Sequence, residues 1–189
     1  MRLVDMVAPG QTPGYLQVQP TPTARVNECF LNVQEQVEAE GGQMLCGWQI
    51  WEWPNVLVEA EFHAVWFSLD GRLVDVTPKQ EGEGRILFVG DPSLAYAGLA
   101  KDNVRLAIRD DLLIRHFIRV SEEIVKVMNR GERAGTYGYV SIPAHEIEPL
   151  MDARSLLGRS IAEGRREKSP CLCGSGGRYK YCHGRDFPW

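Results

Sequence analysis

The sequence predicts an α+β protein: an antiparallel sheet with packed helices, followed by a small C-terminal zinc-binding module. Three observations carry this. Residues 58–78 read as a β-hairpin, rich in β-branched and aromatic residues on either side of Asp70-Gly71. Residues 28–40 and 102–130 place apolar side chains at three- and four-residue spacing. The last twenty residues hold three cysteines and a histidine at metal-ligand spacing. A chain of 189 residues suits one domain of ordinary size with an appendage. The expected division is a body over 1–163, a charged linker over 164–169 and the module over 170–189.

The elements follow in order. Pro9, Pro13, Pro20 and Pro22 predict an arm without helix over residues 1–27, draped on the domain, with a short edge strand near 15–18. Asn27 suits the cap of a helix over 28–40, and Gly41-Gly42 suit its end. Phe30, Val33 and Val37 form its apolar stripe. Residues 44–51 read as a strand whose Trp48 and Trp51 point to opposite faces, as core and rim or as the wall of a substrate groove. Residues 85–89 read as a short strand at the sheet edge. Asp102 or Asn103 caps a long helix over 102–130, with Leu106, Leu113, Phe117, Val120, Ile124 and Val127 on one face and His116 beside them in a structural role. A last helix runs over 144–163, with His145 at the surface.

The hairpin carries His63 on its first strand and Asp75 on its second. A two-residue turn would set His63 opposite Pro78 and Asp75 opposite Trp66, on different faces. A three-residue turn pairs Ser68 with Arg72 and Val65 with Asp75, and makes His63 and Asp75 diagonal neighbours on one face. The three-residue turn is favoured because it needs a left-handed third residue, and Gly71 stands there. In the other register Glu59 or Glu61 could take the place of Asp75. Upstream, Cys29 falls in the first turn of its helix, where unpaired N–H groups and the helix dipole favour a thiolate. It reads equally as a small buried residue. Cys46 reads as an inert strand cysteine. Cysteine, histidine and aspartate are the set that acyl transfer requires: nucleophile, base and orienting group.

The stretch HAVWFSLDGRLVDVTP resembles the histidine-to-aspartate segment of transglutaminase-like proteins. That likeness covers about residues 25–80 and implies a papain-like layout, with a cysteine at a helix N-terminus packed on an antiparallel sheet that supplies histidine and aspartate. Cys29, His63 and Asp75 are the matching positions. The aromatic context usual around the nucleophile is missing from NECFLNV.

In the tail, Cys171, Cys173, Cys182 and His183 are spaced C-x-C-x8-C-H, a set for a closed tetrahedral Zn2+ site of the structural kind. PCLCGSGGRYKYCHG closely resembles the SEC-C motif, the zinc-binding tail named for the C-terminus of the SecA translocase. The resemblance implies contact with a protein partner such as a chaperone, or with the ribosome. Residues 154–189 hold eight Lys/Arg against three Asp/Glu, so a basic tail follows an acidic body. The net charge of −4 argues against nucleic acid as the body's partner.

No stretch is long and apolar enough for a transmembrane helix, and the N-terminus lacks the apolar core of a signal peptide. Together with clustered cysteines, this predicts a cytoplasmic protein. Two functions remain open: a cysteine-dependent amidase, peptidase or acyltransferase, and a non-catalytic adapter that docks through its zinc tail. Loss of the metal is expected to leave the body folded.

Overall fold

The computed structural model describes residues 2–98, 101–134 and 141–189. They form two compact units, Met1–Trp51 with Glu59–Ala97 and Glu52–Val58 with Gly98–Trp189. The tail that carries the Cys/His cluster lies in the second unit.

The first unit holds α1 (Arg2–Val7), β1 (Gly14–Val18), α2 (Cys29–Glu40), most of β2 (Gln43–Trp53) and β3 (Leu57–Phe67), then β4 (Leu73–Asp75) and β5 (Arg85–Gly90). Its strands run β2-β5-β1-β4-β3, and a further β2–β3 pairing closes them into a five-stranded barrel. The sheet is mixed, not antiparallel throughout, because β1 lies parallel to β4, with Gln17 beside Val74 and Val18 beside Asp75. Closure also overturns two edge assignments. β1 is flanked by β5 and β4, and β5 by β2 and β1. The arm does contain a helix, α1, because its prolines begin only at Pro9.

Alternation sorts the barrel's side chains. Leu16, Val18, Leu45, Val65, Leu73, Ile86 and Phe88 pack together as one apolar cluster. Val33 of α2 packs with Ala64, Trp66, Val74 and Val76, which have the opposite parity. The β3–β4 ladder pairs Trp66 with Val74 and Phe67 with Leu73, which is the register of the three-residue turn. Ser68 N–H donates to Arg72 O at 2.9 Å, and Gly71 takes φ +85°. Only a residue without Cβ adopts that angle readily.

The second unit contains β6 (Val104–Ala107), α3 (Leu112–Met128) and α4 (Ala144–Ala162). The helix expected over 102–130 begins ten residues later, because Val104 to Ala107 form a strand and Asp111 is the cap. Asp111 Oδ1 accepts from Leu113 N–H at 3.0 Å and Ile114 N–H at 3.4 Å, and its Oδ2 accepts from Glu167 N–H at 3.1 Å. Residues 164–169 are therefore tied to the start of α3. The core joins Leu113, Ile114, Phe117 and Val120 of α3, Leu150, Leu157 and Ile161 of α4, and Cys171 and Tyr179 of the tail.

Replacing Asp111 by alanine removes a helix cap and the acceptor for Glu167 together. We expect a loss of about 1–2 kcal/mol in a urea titration of the second unit, with Asp111→Asn recovering most of it.

Candidate active site and metal centre

The first site lies in the barrel unit. His63 Nε2 is 3.1 Å from Asp75 Oδ2, and the two residues are 3% and 0% exposed. The register makes this possible: the pairs Phe67–Leu73 and Trp66–Val74, extended by one residue, would set Val65 against Asp75 and make His63 its diagonal neighbour. Asp75 Oδ1 accepts from Thr77 N–H at 2.9 Å, which fixes the carboxylate plane. Thr77 Oγ1 accepts from Asn32 Nδ2 at 3.2 Å, so α2 is anchored to the same stretch.

Cys29 is the first residue of α2 and is buried. Asn27 does not cap the helix. It takes φ +65°, and Glu28 stands at the cap position without a side-chain bond. Cys29 packs with Ala64, Trp66, Val74 and Val76, and it is near enough to His63 to favour the charged imidazole.

Burial alone would pull the His63 imidazole down. The hydrogen bond to Asp75 and the nearby Cys29 more than offset it and raise the group to about 9. Burial pushes the Asp75 carboxyl up, but His63 and then Lys79 hold it below the ordinary aspartate range. Burial pushes the Cys46 thiol up, an N–H bond from Tyr96 draws it back, and Cys29 adds to the rise. Glu61, one of the two alternative orienting groups, accepts instead from Trp51 Nε1 at 2.6 Å. Trp48 is buried against Phe62, as a core residue. Tyr96 stacks flat on Phe30 at 3.8 Å, beside the cysteine.

The second site is in the tail. The ligand atoms of Cys171, Cys173, Cys182 and His183 all lie within 4.8 Å of one another. Cys173 Sγ is 3.6 Å from Cys182 Sγ, and His183 Nδ1 is 3.4 and 3.5 Å from the sulfurs of Cys171 and Cys182. A tetrahedral zinc ion with ordinary bond lengths would set these edges at about 3.8 Å for S···S and about 3.5 Å for S···N. The group can thus hold a metal ion, and its size and donor set are consistent with zinc. Burial raises the Cys171 thiol, but N–H bonds from Cys173 and His183 reverse this and bring it to about 7. Bonds of that kind also steady a coordinated sulfur.

Tyr179 anchors this module. It is buried, and its hydroxyl lies 2.8 Å from Nδ1 of His116, whose ring stacks on Phe187 at 4.0 Å. Cys182 and Gly184 both donate backbone N–H bonds to Tyr179 O. A Cβ on Gly184 would come within 2.7–2.8 Å of the Tyr179 ring, so glycine is required there. Burial, with Arg119 and Arg115 nearby, lowers His116 to about 4, so it is neutral at pH 7. Cys171 and Tyr179 lie in the core of the second unit, so chelation is expected to act on that unit first.

Sequence reasoning missed Lys79, Gln49, Asn32 and Thr77 around His63, and Tyr179 as the partner of His116. None of these residues carries a spacing signal, because each meets its partner only through tertiary folding. No family model, curated protein or solved structure matches this chain.

Two outcomes follow. The folded state holds the His63 proton more tightly than the unfolded chain. Its stabilisation is therefore complete below the unfolded value of about 6.5 and is lost as pH rises through about 9. Asp75 acts in the opposite sense, its contribution fading as pH falls through its lowered value. Melting of the wild type should decline between those two pH values, and His63→Gln should flatten that decline. Metal analysis should find one zinc per chain, absent from Cys182→Ser. Chelation should lower the melting temperature of the second unit and leave the barrel's unchanged.

Proposed function

We propose that this chain is a zinc-binding protein whose barrel carries a cysteine-dependent acyl-transfer site made of Cys29, His63 and Asp75. The observation that carries this reading is the buried His63–Asp75 pair, with Cys29 at the N-terminus of α2 near enough to favour the charged imidazole. The order and roles are those of transglutaminase-like and papain-like proteins, and the metal site has the ligand pattern of a SEC-C module.

In this reading His63 takes the proton of the Cys29 thiol, and the sulfur attacks an amide or thioester carbonyl and forms a C–S bond. The carbonyl electrons move onto oxygen, where the first-turn N–H groups of α2, which have no intrahelical partner, can receive the charge. The intermediate collapses, the leaving group takes a proton from His63, and an acyl-cysteine remains. Water or an acceptor amine then gives His63 a proton as it attacks the acyl carbon, and the thiol is restored. Asp75 holds the imidazole by Nε2 throughout. A zinc ion held by Cys171, Cys173, Cys182 and His183 would be structural, because three thiolates and an imidazole would fill its shell.

A second reading, a non-catalytic adapter, is favoured by one observation. Beside the metal ligands lies a hollow of about 370 Å³, lined by Leu156, Leu157, Leu172, Tyr179, Phe187 and Trp189. An apolar side chain of a protein or ribosomal partner would fit it, and the basic residues Arg178, Lys180 and Arg185 would meet acidic groups around it.

Alkylation at pH 6 separates the two. Cys29 should react at least tenfold faster than Cys46, with the tail cysteines protected by their metal, and His63→Ala should abolish the difference. Equal, slow reaction of both cysteines removes the enzyme reading and leaves the adapter.

A further inference from the structure

The polar interior of the barrel contains a charge that acyl transfer does not itself require. Lys79 Nζ lies 2.6 Å from Asp75 Oδ2, 2.9 Å from Gln49 Oε1 and 3.4 Å from His63 Nε2. Its side chain is 7% exposed. Lysine is rarely buried to that degree without a partner, since taking an ammonium ion out of water is costly. Here Asp75 repays the cost, and Gln49, itself 1% exposed, takes a second N–H.

The geometry points to Lys79 as a positioning residue of the Cys29–His63–Asp75 site, its ammonium locking the Asp75 carboxylate and restraining the basicity of the His63 imidazole. The inference rests on the acyl-transfer reading above for what that restraint serves.

The physical argument has two steps. His63 and Lys79 both approach one oxygen, Asp75 Oδ2. A carboxylate already paired with an ammonium at 2.6 Å is a weaker acceptor, so it stabilises imidazolium less than a lone buried aspartate would. The second step is direct: a cation 3.4 Å from Nε2 repels the proton that would charge the ring. The other groups facing His63 do not duplicate this. Cys29 on α2 and Asp75 on β4 both favour the charged ring, Gln49 on β2 is neutral, and Phe88 on β5 meets the ring edge-on. Glu61, two residues along β3, is engaged by Trp51. Lys79 is thus the cation in this group.

The consequence for acyl transfer is one of matching. An imidazole that holds its proton too tightly is a poor acid toward the leaving group, and one near the working pH serves both directions. Lys79 moves His63 toward that range.

The test is an NMR titration of His63. The chain has four histidines, so its resonance is assigned by its loss in His63→Gln. Lys79→Met should raise the His63 midpoint by about 1–3 units, the range for a neighbouring charge at this distance. Lys79→Arg should keep it within about half a unit of the wild type. Lys79→Gln retains a donor for Asp75 without the charge, so it should shift the midpoint as Met does, and it serves if Met fails to fold. A midpoint unchanged in Gln or Met overturns the inference, as does an equal shift in Arg. The titration does not depend on Cys29 chemistry. If Cys29 proves unreactive while His63 shifts as stated, the acyl-transfer reading fails and the charge balance stands.

Discussion

The hydrogen bond between His63 and Asp75 is the constraint around which the barrel unit is arranged. It exists only in one register of the β3–β4 hairpin, because a slip of one residue turns every side chain of a strand to the other face. The register is set by a three-residue turn. Ser68 holds both ends of that turn through Arg72, and its hydroxyl meets Asp70, while Gly71 takes the left-handed angle. Asp75 is buried completely, so its charge must be answered inside the barrel. Thr77, His63 and Lys79 answer it, and Gln49 and Asn32 close the outer bonds. A buried polar network of this kind specifies one arrangement, since leaving any member unpaired costs the desolvation of that group.

The second unit solves a different problem. Its tail is too short and too rich in glycine to build a core of its own. Two devices compensate. The ligand cluster closes the loop from Cys171 to His183, and the tail lends Cys171 and Tyr179 to the core formed by α3 and α4. Tyr179 joins the two, because its carbonyl receives the N–H groups of Cys182 and Gly184 and its hydroxyl meets His116. Asp111 plays a similar double part, capping α3 and holding Glu167 of the segment that leads into the tail. Binding of a metal by this cluster would therefore be linked to folding of the unit.

Much of this was legible in the sequence where chemistry and spacing coincide. Asp70-Gly71 pointed to the turn, and the turn put His63 beside Asp75. The C-x-C-x8-C-H spacing placed four ligands in one cluster. The cysteine at the start of α2 followed from the apolar stripe behind it and Gly41 ahead. What was not legible lies in long-range pairing. Barrel closure and the parallel β1–β4 pair depend on which strands meet, and strand composition does not encode that. Val104 to Ala107 satisfied a helical stripe at Leu106 as well as a strand, and only the cap at Asp111 decided where α3 begins. Lys79 follows Asp75 by four residues outside any helix, a separation that has no meaning until the chain beyond β4 folds back into the barrel.

The central claim is that Cys29, His63 and Asp75 act as one chemical unit. Brief incubation with a small activated ester such as p-nitrophenyl acetate, followed by peptide mass spectrometry, tests it most directly. The account predicts a burst of about one nitrophenolate per chain and an acetyl group on the peptide that carries Cys29, both lost in Cys29→Ser and strongly reduced in His63→Ala and Asp75→Asn. Acetylation spread over surface lysines, with Cys29 unmodified and no dependence on His63, would contradict it.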